Sequence, residues 1–216
     1  MLIQRRPLVL AIYEPKWFLK AIEIAKRRGI KYVFYYSKES VPHGSVVYTD
    51  LELIMNDLSD REDLKLIYDT EKNCKKLEEA FQASMFIDQY NYLIVGIDVG
   101  RTISYVILGD NSLLLYGVGV LRDLIGDIDY VFNCVAFGQM SVKIGTGQEF
   151  IEILEVIRSR YKNIDIEIVD EAKTPPGLRL DDLIYMNMRL RGLKPHRDRD
   201  IYAAYRIALA KGVKVV

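Results

Sequence analysis

The sequence predicts an α/β protein built in two parts. Residues 1–88 alternate short β-rich runs with helix-patterned segments, which is the reading of a small open α/β domain. From Tyr92 the rhythm changes to three strands in succession, the last two joined by a tight turn, before helices and strands alternate again. A short polar stretch near Ile87–Asn91 separates the two rhythms, so the expected domains are 1–88 and 89–216. Half of the 216 residues are hydrophobic, enough for each part to bury a core.

In the first part Leu8–Tyr13 is an apolar β-type run broken by Glu14-Pro15. Lys16–Arg28 carries Phe18, Ala21, Ile22 and Ala25 at helical spacing, and Gly29 sits where a left-handed cap would end that helix. Tyr32–Tyr36 completes a β-α-β unit. Val46–Tyr48 and Leu64–Tyr68 are further short strands around a helical Thr49–Leu58. Thr70 is placed to cap a helix to about Phe86, with Cys74, Leu77, Phe81 and Met85 on one stripe. Tyr13-Glu14-Pro15-Lys16 stands where a dinucleotide binder would need glycines, so this domain offers no phosphate loop and reads as an interaction module.

In the second part Tyr92–Asp98 is an apolar strand ending in an acid. Ser104–Leu108 and Leu113–Val118 follow, joined at Gly109-Asp110-Asn111, a two-strand turn signal. A short helix is expected over Leu121–Gly126, and a fourth strand over Tyr130–Ala136. Gly145-Thr146-Gly147 leads into a helix over Gln148–Tyr161, where Thr146 and Glu149 have capping-box spacing; Phe150, Leu154, Ile157 and Tyr161 line its buried face. Ile164–Val169 is a fifth strand, and helices near Leu180–Arg191 and Arg199–Lys211 close the chain.

Motifs at the joints of this β-β-β-α-β-α-β-α order carry a resemblance. Gly96-Ile97-Asp98-Val99-Gly100 resembles the G-[IL]-D-x-G segment that ends strand one in the RuvC and YqgF branches of the RNase H-like superfamily. Val169-Asp170-Glu171-Ala172-Lys173-Thr174 resembles the D-E-x-x-T after the fifth strand in YqgF-type proteins. Asp200-Ile201-Tyr202-Ala203-Ala204 resembles the D-x-x-A-A that opens their last helix. The resemblance covers about residues 92–211 and is to archaeal or bacterial proteins of the Holliday-junction-resolvase-like kind. It implies an RNase H-like domain with Asp98, Glu171 and Asp200 as catalytic, metal-binding acids for Mg²⁺ or Mn²⁺. Asp170 and Asp198 stand in reserve: the alternation Ile164, Ile166, Ile168 runs on to Asp170, so the end of the strand decides which of Asp170 and Glu171 faces the site.

The chemistry agrees with this set. A hard divalent cation takes oxygen ligands, and Mg²⁺ is usually held by one or two carboxylates with phosphate and water. Asp98 ends strand one before a glycine that leaves room for a ligand, and Ala203, Ala204 and Ala208 let the last helix approach the sheet with Asp200. One departure stands out. RuvC-type resolvases usually carry a glutamate near the end of strand four, and Phe132–Gly138 contains no acid.

The implied activity is metal-dependent hydrolysis of phosphodiesters in structured nucleic acid. One alternative is a non-catalytic nucleic-acid-binding or scaffold protein with a degenerate site. Another is an ATPase of the actin/sugar-kinase type, whose first phosphate motif Ile97–Thr102 also resembles, although residues 1–88 supply no second D-x-G hairpin. The formal net charge is zero, yet Lys173–Val216 holds ten Lys/Arg against four Asp. Arg179, Arg189, Arg191, Lys194, Arg197 and Arg199 are candidates to track a phosphate backbone, and the exposed-loop His196 is a candidate proton carrier. Gly145–Gly147 at a helix start is a candidate anion cradle. Resolvases of this class resemble one another in being dimers, so a homodimer is an expectation of the resemblance. Cys74 and Cys134 read as buried free thiols in a reducing cytoplasm, and no apolar run reaches the roughly 18 residues of a membrane span.

Overall fold

A computed structural model describes residues 5–147, 149–162, 164–170 and 178–215, with residues 178–180 as backbone only. The chain divides into two units, Met1–Gln89 with Val131–Ala136, and Tyr90–Tyr130 with Phe137–Val216.

Unit 1 holds β1 (Leu8–Ala11), α1 (Pro15–Arg28), β2 (Val33–Phe34), β3 (Val46–Thr49), α2 (Glu52–Asp57), β4 (Lys65–Tyr68) and α3 (Cys74–Ser84). Its sheet runs β2-β1-β3-β4 with every pairing parallel. β1 and β3 are buried at every position because both faces are covered. Leu8, Leu10, Val46 and Tyr48 pack with Ala21, Ala25, Leu77 and Phe81, while Val9, Ala11 and Val47 pack with Ile54 and Leu58. Glu14 caps α1 by accepting from the Lys16 and Trp17 N–H groups, Pro15 supplies a first-turn φ, and Gly29 ends the helix at φ 63°. Arg28 and Glu78 form a buried ion pair at 2.9 Å.

Two expectations fail in this unit. Asn73, not Thr70, caps α3, its side chain accepting from the Lys76 N–H. Cys74 and Cys134 are not free thiols: they form a disulfide across 60 residues of sequence. Spacing alone could not pair them, because proximity arises only when the helices are placed. The inference of a reducing compartment that rested on free thiols goes with them, since such bonds also persist in intracellular hyperthermophile proteins. No helix among the described residues is long and apolar enough to cross a membrane.

Unit 2 holds β5 (Tyr90–Val99), β6 (Ile103–Gly109), β7 (Ser112–Gly119), α4 (Leu121–Cys134), β8 (Phe137–Gly145), α5 (Phe150–Arg160), β9 (Asp165–Val169), α6 (Leu178–Leu190), α7 (Arg199–Leu209) and β10 (Val213–Lys214). The strand order is β10-β9-β8-β5-β6-β7. β5, β6 and β7 are antiparallel, β8 and β9 add in parallel on the other side of β5, and β10 pairs antiparallel with β9. An antiparallel trio extended by parallel strands from its first member is the RNase H-like arrangement. The β6–β7 hairpin turns on Asp110 and Asn111, both at positive φ, which suits the right-handed twist of the strands.

The fourth strand is a correction. Tyr130–Cys134 belongs to α4, and the strand is Phe137–Gly145. Leu124, Ile128 and Val131, each fully buried, recur at helical spacing, and that period extends the helix well past Gly126. The short β10 has no counterpart in the sequence reading.

Candidate functional site

β5, β8 and β9 are parallel, so their carboxyl ends share one edge of the sheet, where open α/β sheets bind ligands. Side chains alternate faces along each strand, and Gly96, Lys143 and Glu167 lie in one cross-strand row. One step toward the carboxyl edge on that same face comes the row of Asp98, opposite Ser104 on β6 and level with Gly145 on β8, which pairs with Val169 on β9. Asp98 is half-buried and Ser104 buried.

α7 covers this face. A Cβ at Gly96 would lie 2.6 Å from the Ala208 Cβ and 2.7 Å from its nitrogen, and would strike the Ala204 carbonyl. The helix therefore lies directly on β5, as its small residues predict. Its direction follows from its neighbours. Ile201 packs with Val106 and Leu108 of β6 and Leu113 of β7, whereas Ile207 and Ala210 pack on Val169 of β9. Asp200 shares the Ile207 side of the helix but stands two turns earlier, about 10 Å or two strand spacings back.

Polar ties hold the helix there. Lys143, mostly buried, donates to the Ala210 carbonyl at 2.5 Å and sits 3.5 Å from Glu167, whose carboxylate also accepts from the Gly212 N–H. The Tyr205 hydroxyl donates to the Asn111 carbonyl at 3.1 Å, and Tyr202 donates to Asp181 of α6 at 2.6 Å. Burial, helped by the Asp181 carboxylate, pushes the Tyr202 hydroxyl up to about 12, so it remains a donor at any physiological pH. Sequence reasoning missed Lys143 because it placed strand four too early; the alternation of Phe137–Gly145 would have set Lys143 on the Gly96 face.

The acids are distributed as follows. Asp98 is the penultimate residue of β5 and Asp170, half-buried, follows β9. Asp200 is exposed in the first turn of α7. Asp198 is the N-cap position, and its carboxylate accepts from the Lys194 N–H at 2.7 Å, which gives it a local structural task. Glu171 lies outside the described residues. Among the described residues no three His, Cys, Asp or Glu side chains form a group able to hold a metal ion.

The loop after β8 comes close to the backbone beside Asp98. A Cβ at Gly147 would collide with the Val99 carbonyl, so the loop after β8 lies against the backbone next to Asp98. Thr146 does not cap the following helix: α5 begins at Phe150 with Glu149 as N-cap and no side-chain cap bond, so Gly145–Gly147 is not a helix-start cradle. β8 carries no carboxylate along its length, and the gap noted in the sequence persists with the strand correctly placed.

Of the basic candidates, Arg189, Lys194, Arg197 and Arg199 are exposed, as is His196. Arg191 is committed elsewhere: its guanidinium donates to the Leu113 and Leu114 carbonyls at 2.9 Å each and lies over the Tyr116 ring. It anchors α6 to the edge strand, so it is withdrawn from the phosphate-binding set. The Arg179 side chain lies outside the described residues.

Unit 2 is thus an α/β domain whose strand order is that of RNase H-like folds. No protein-family model matches the chain, and no curated protein sequence does. Among solved structures it is similar to an Argonaute of Marinitoga piezophila in complex with 5′ OH guide RNA, at a TM-score of 0.29 and 12% identity. The match covers 76% of this chain and 39% of that one. At that TM-score the likeness carries no weight here, and the fold class rests on strand order and register.

Proposed function

We propose that unit 2 is a divalent-cation-dependent phosphodiester hydrolase acting on structured nucleic acid, with Asp98 and Asp200 at its centre and Glu171 or Asp170 as the third acid. The observation that supports this reading is the close packing of α7 on β5 at Gly96, two positions before Asp98, in a helix whose first turn holds Asp200. When bound, Mg²⁺ or Mn²⁺ would supply charge neutralisation at the phosphate and a more acidic water. The chain's own residues do the rest. Asp98 and Asp200 offer oxygen ligands, and Gly100, where an added Cβ would meet nothing closer than 3.7 Å, leaves space for a phosphate backbone to approach. Arg189, Lys194, Arg197 and Arg199 attract that backbone, and His196, four residues before Asp200, is the candidate to carry a proton.

A second reading, nucleic-acid binding through a degenerate site, is favoured by the absence of any carboxylate in β8. The ATPase reading loses ground, because the sheet of unit 1 is wholly parallel and contains no second antiparallel D-x-G hairpin among its described residues. The test is cleavage of branched DNA, duplex DNA, RNA and RNA/DNA hybrid with Mg²⁺ or Mn²⁺, wild type against Asp98→Asn. Cleavage that disappears in Asp98→Asn supports the hydrolase. Binding without cleavage of any substrate selects the second reading, and neither binding nor cleavage removes both.

A further inference from the structure

Unit 1 has no part in that chemistry, yet it contains a cavity of about 320 Å³ lined by Leu10, Tyr13, Phe18, Phe34, Tyr36 and Ile54 among others. Its location follows from the topology. The chain passes from β1 to β2 on one side and returns to β3 on the other, so the strand order reverses between β1 and β3. The residues that follow β1, β2 and β3 (Ile12 and Tyr13, Tyr35 and Tyr36, Leu51) all line the cavity at the carboxyl ends of these strands. That crevice is the general ligand position of an open parallel sheet.

The lining is aromatic, and several rings are exposed without a core role: Tyr13 at 76%, Tyr36 at 80% and Phe34 at 36%. Phe34 packs against Phe18 and Tyr32, with ring centroids 5.4 and 5.5 Å apart. The rim is fixed in advance. The Asp50 carboxylate accepts from the Tyr13 and Glu14 N–H groups at 2.7 and 3.1 Å, and Thr49 donates to the Ala11 carbonyl. Aromatic rings lining such a space favour a planar partner that stacks on them.

The electrostatics exclude a phosphate. The N-terminus of α1, where a phosphate would sit in such folds, is already filled by the Glu14 carboxylate, which accepts from Lys16 and Trp17. No lysine or arginine lines the cavity. Asp50 and Glu14 stand behind the lining, bound to the backbone at and after Tyr13, and the Asp50 oxygens retain lone pairs for the amino or imino hydrogens of a heterocycle.

We propose that this cavity binds the unphosphorylated nucleoside, its base stacked on Tyr13, Phe34 and Tyr36 and its exocyclic donors turned to Asp50. The site is independent of the carboxylate row of unit 2 and stands whether or not that row cleaves anything. The experiment is calorimetric titration of the full chain with adenosine, adenosine monophosphate and tetramethylammonium, for wild type, Tyr36→Ala and Tyr13→Ala. Both tyrosines are largely exposed, so neither substitution threatens the fold. Adenosine should bind wild type more tightly than the monophosphate does, and each substitution should weaken it about fivefold or more. Equal or tighter binding of the monophosphate, preference for tetramethylammonium, or adenosine affinity untouched by both substitutions would each overturn the proposal.

Discussion

Gly96→Ala is the substitution on which the architecture of unit 2 bears most directly. The added Cβ would stand 2.6 Å from the Ala208 Cβ and 2.7 Å from its nitrogen, where carbon contacts settle near 3.5–4.0 Å. The obstacle is helix backbone, not the tip of a flexible side chain, so α7 must lift by about 1 Å. Overpacking of this kind costs about 1–3 kcal/mol. The upper end is expected, because lifting α7 also strains the bonds from Lys143 to Ala210 and from Tyr205 to Asn111. At roughly 2–4 °C per kcal/mol for a chain of this size, the melting temperature should fall by about 6–12 °C. Gly126→Ala is the control: Gly126 is exposed within α4 with nothing within 4 Å of the new carbon, so the same change should stabilise by about 0.5–1 kcal/mol. Urea unfolding followed by far-UV circular dichroism reads both. A midpoint for Gly96→Ala equal to wild type would refute the packing of α7 on β5, and with it the placement of Asp200.

The remaining predictions concern stability and binding. Reducing Cys74–Cys134, which closes 60 residues, should lower stability by about 4 kcal/mol, and thiol titration should find two reactive sulfurs only after reduction. Lys194→Ala and Arg197→Ala should each reduce the salt dependence of nucleic-acid binding by about one unit of slope. Arg191→Ala should instead lower the urea midpoint and leave that slope alone, since its guanidinium serves Leu113 and Leu114. Asp129 carries a pH prediction: hydrogen bonds from Arg160, then Tyr161, hold its carboxyl below the usual carboxylate range. A depressed folded-state pKa stabilises above the unfolded value and loses that contribution as pH falls through the folded one. Wild type should therefore lose stability below about pH 4, and Asp129→Asn should lose less; parallel midpoint-against-pH curves for the two would contradict this.

Much of the fold is legible because hydrophobic period and punctuation agree. Gly29, Asp110-Asn111 and Gly192 mark boundaries that the backbone confirms with positive φ. Asp98 stands out as an acid ending an apolar strand, and Ala204 and Ala208 announce a close-packed helix. What failed has physical causes. Tyr130–Ala136 is apolar except for Asn133, and a short apolar run does not reveal its period, so the end of a helix read as a strand. That error hid Lys143. Arg191 looked like its basic neighbours because charge is visible in sequence and the carbonyls that claim it are not. The disulfide and the aromatic cavity of unit 1 depend on residues far apart in the chain, and no local pattern joins them.

The central claim is a carboxylate row holding a divalent cation through Asp98 and Asp200. Calorimetric titration of Mn²⁺ into wild type, Asp98→Asn and Asp200→Asn tests it most directly. Wild type should bind the ion, Asp98→Asn should abolish binding, and Asp200→Asn should weaken it, with all three unfolding at similar urea midpoints. Mn²⁺ affinity unchanged by Asp98→Asn would contradict the account.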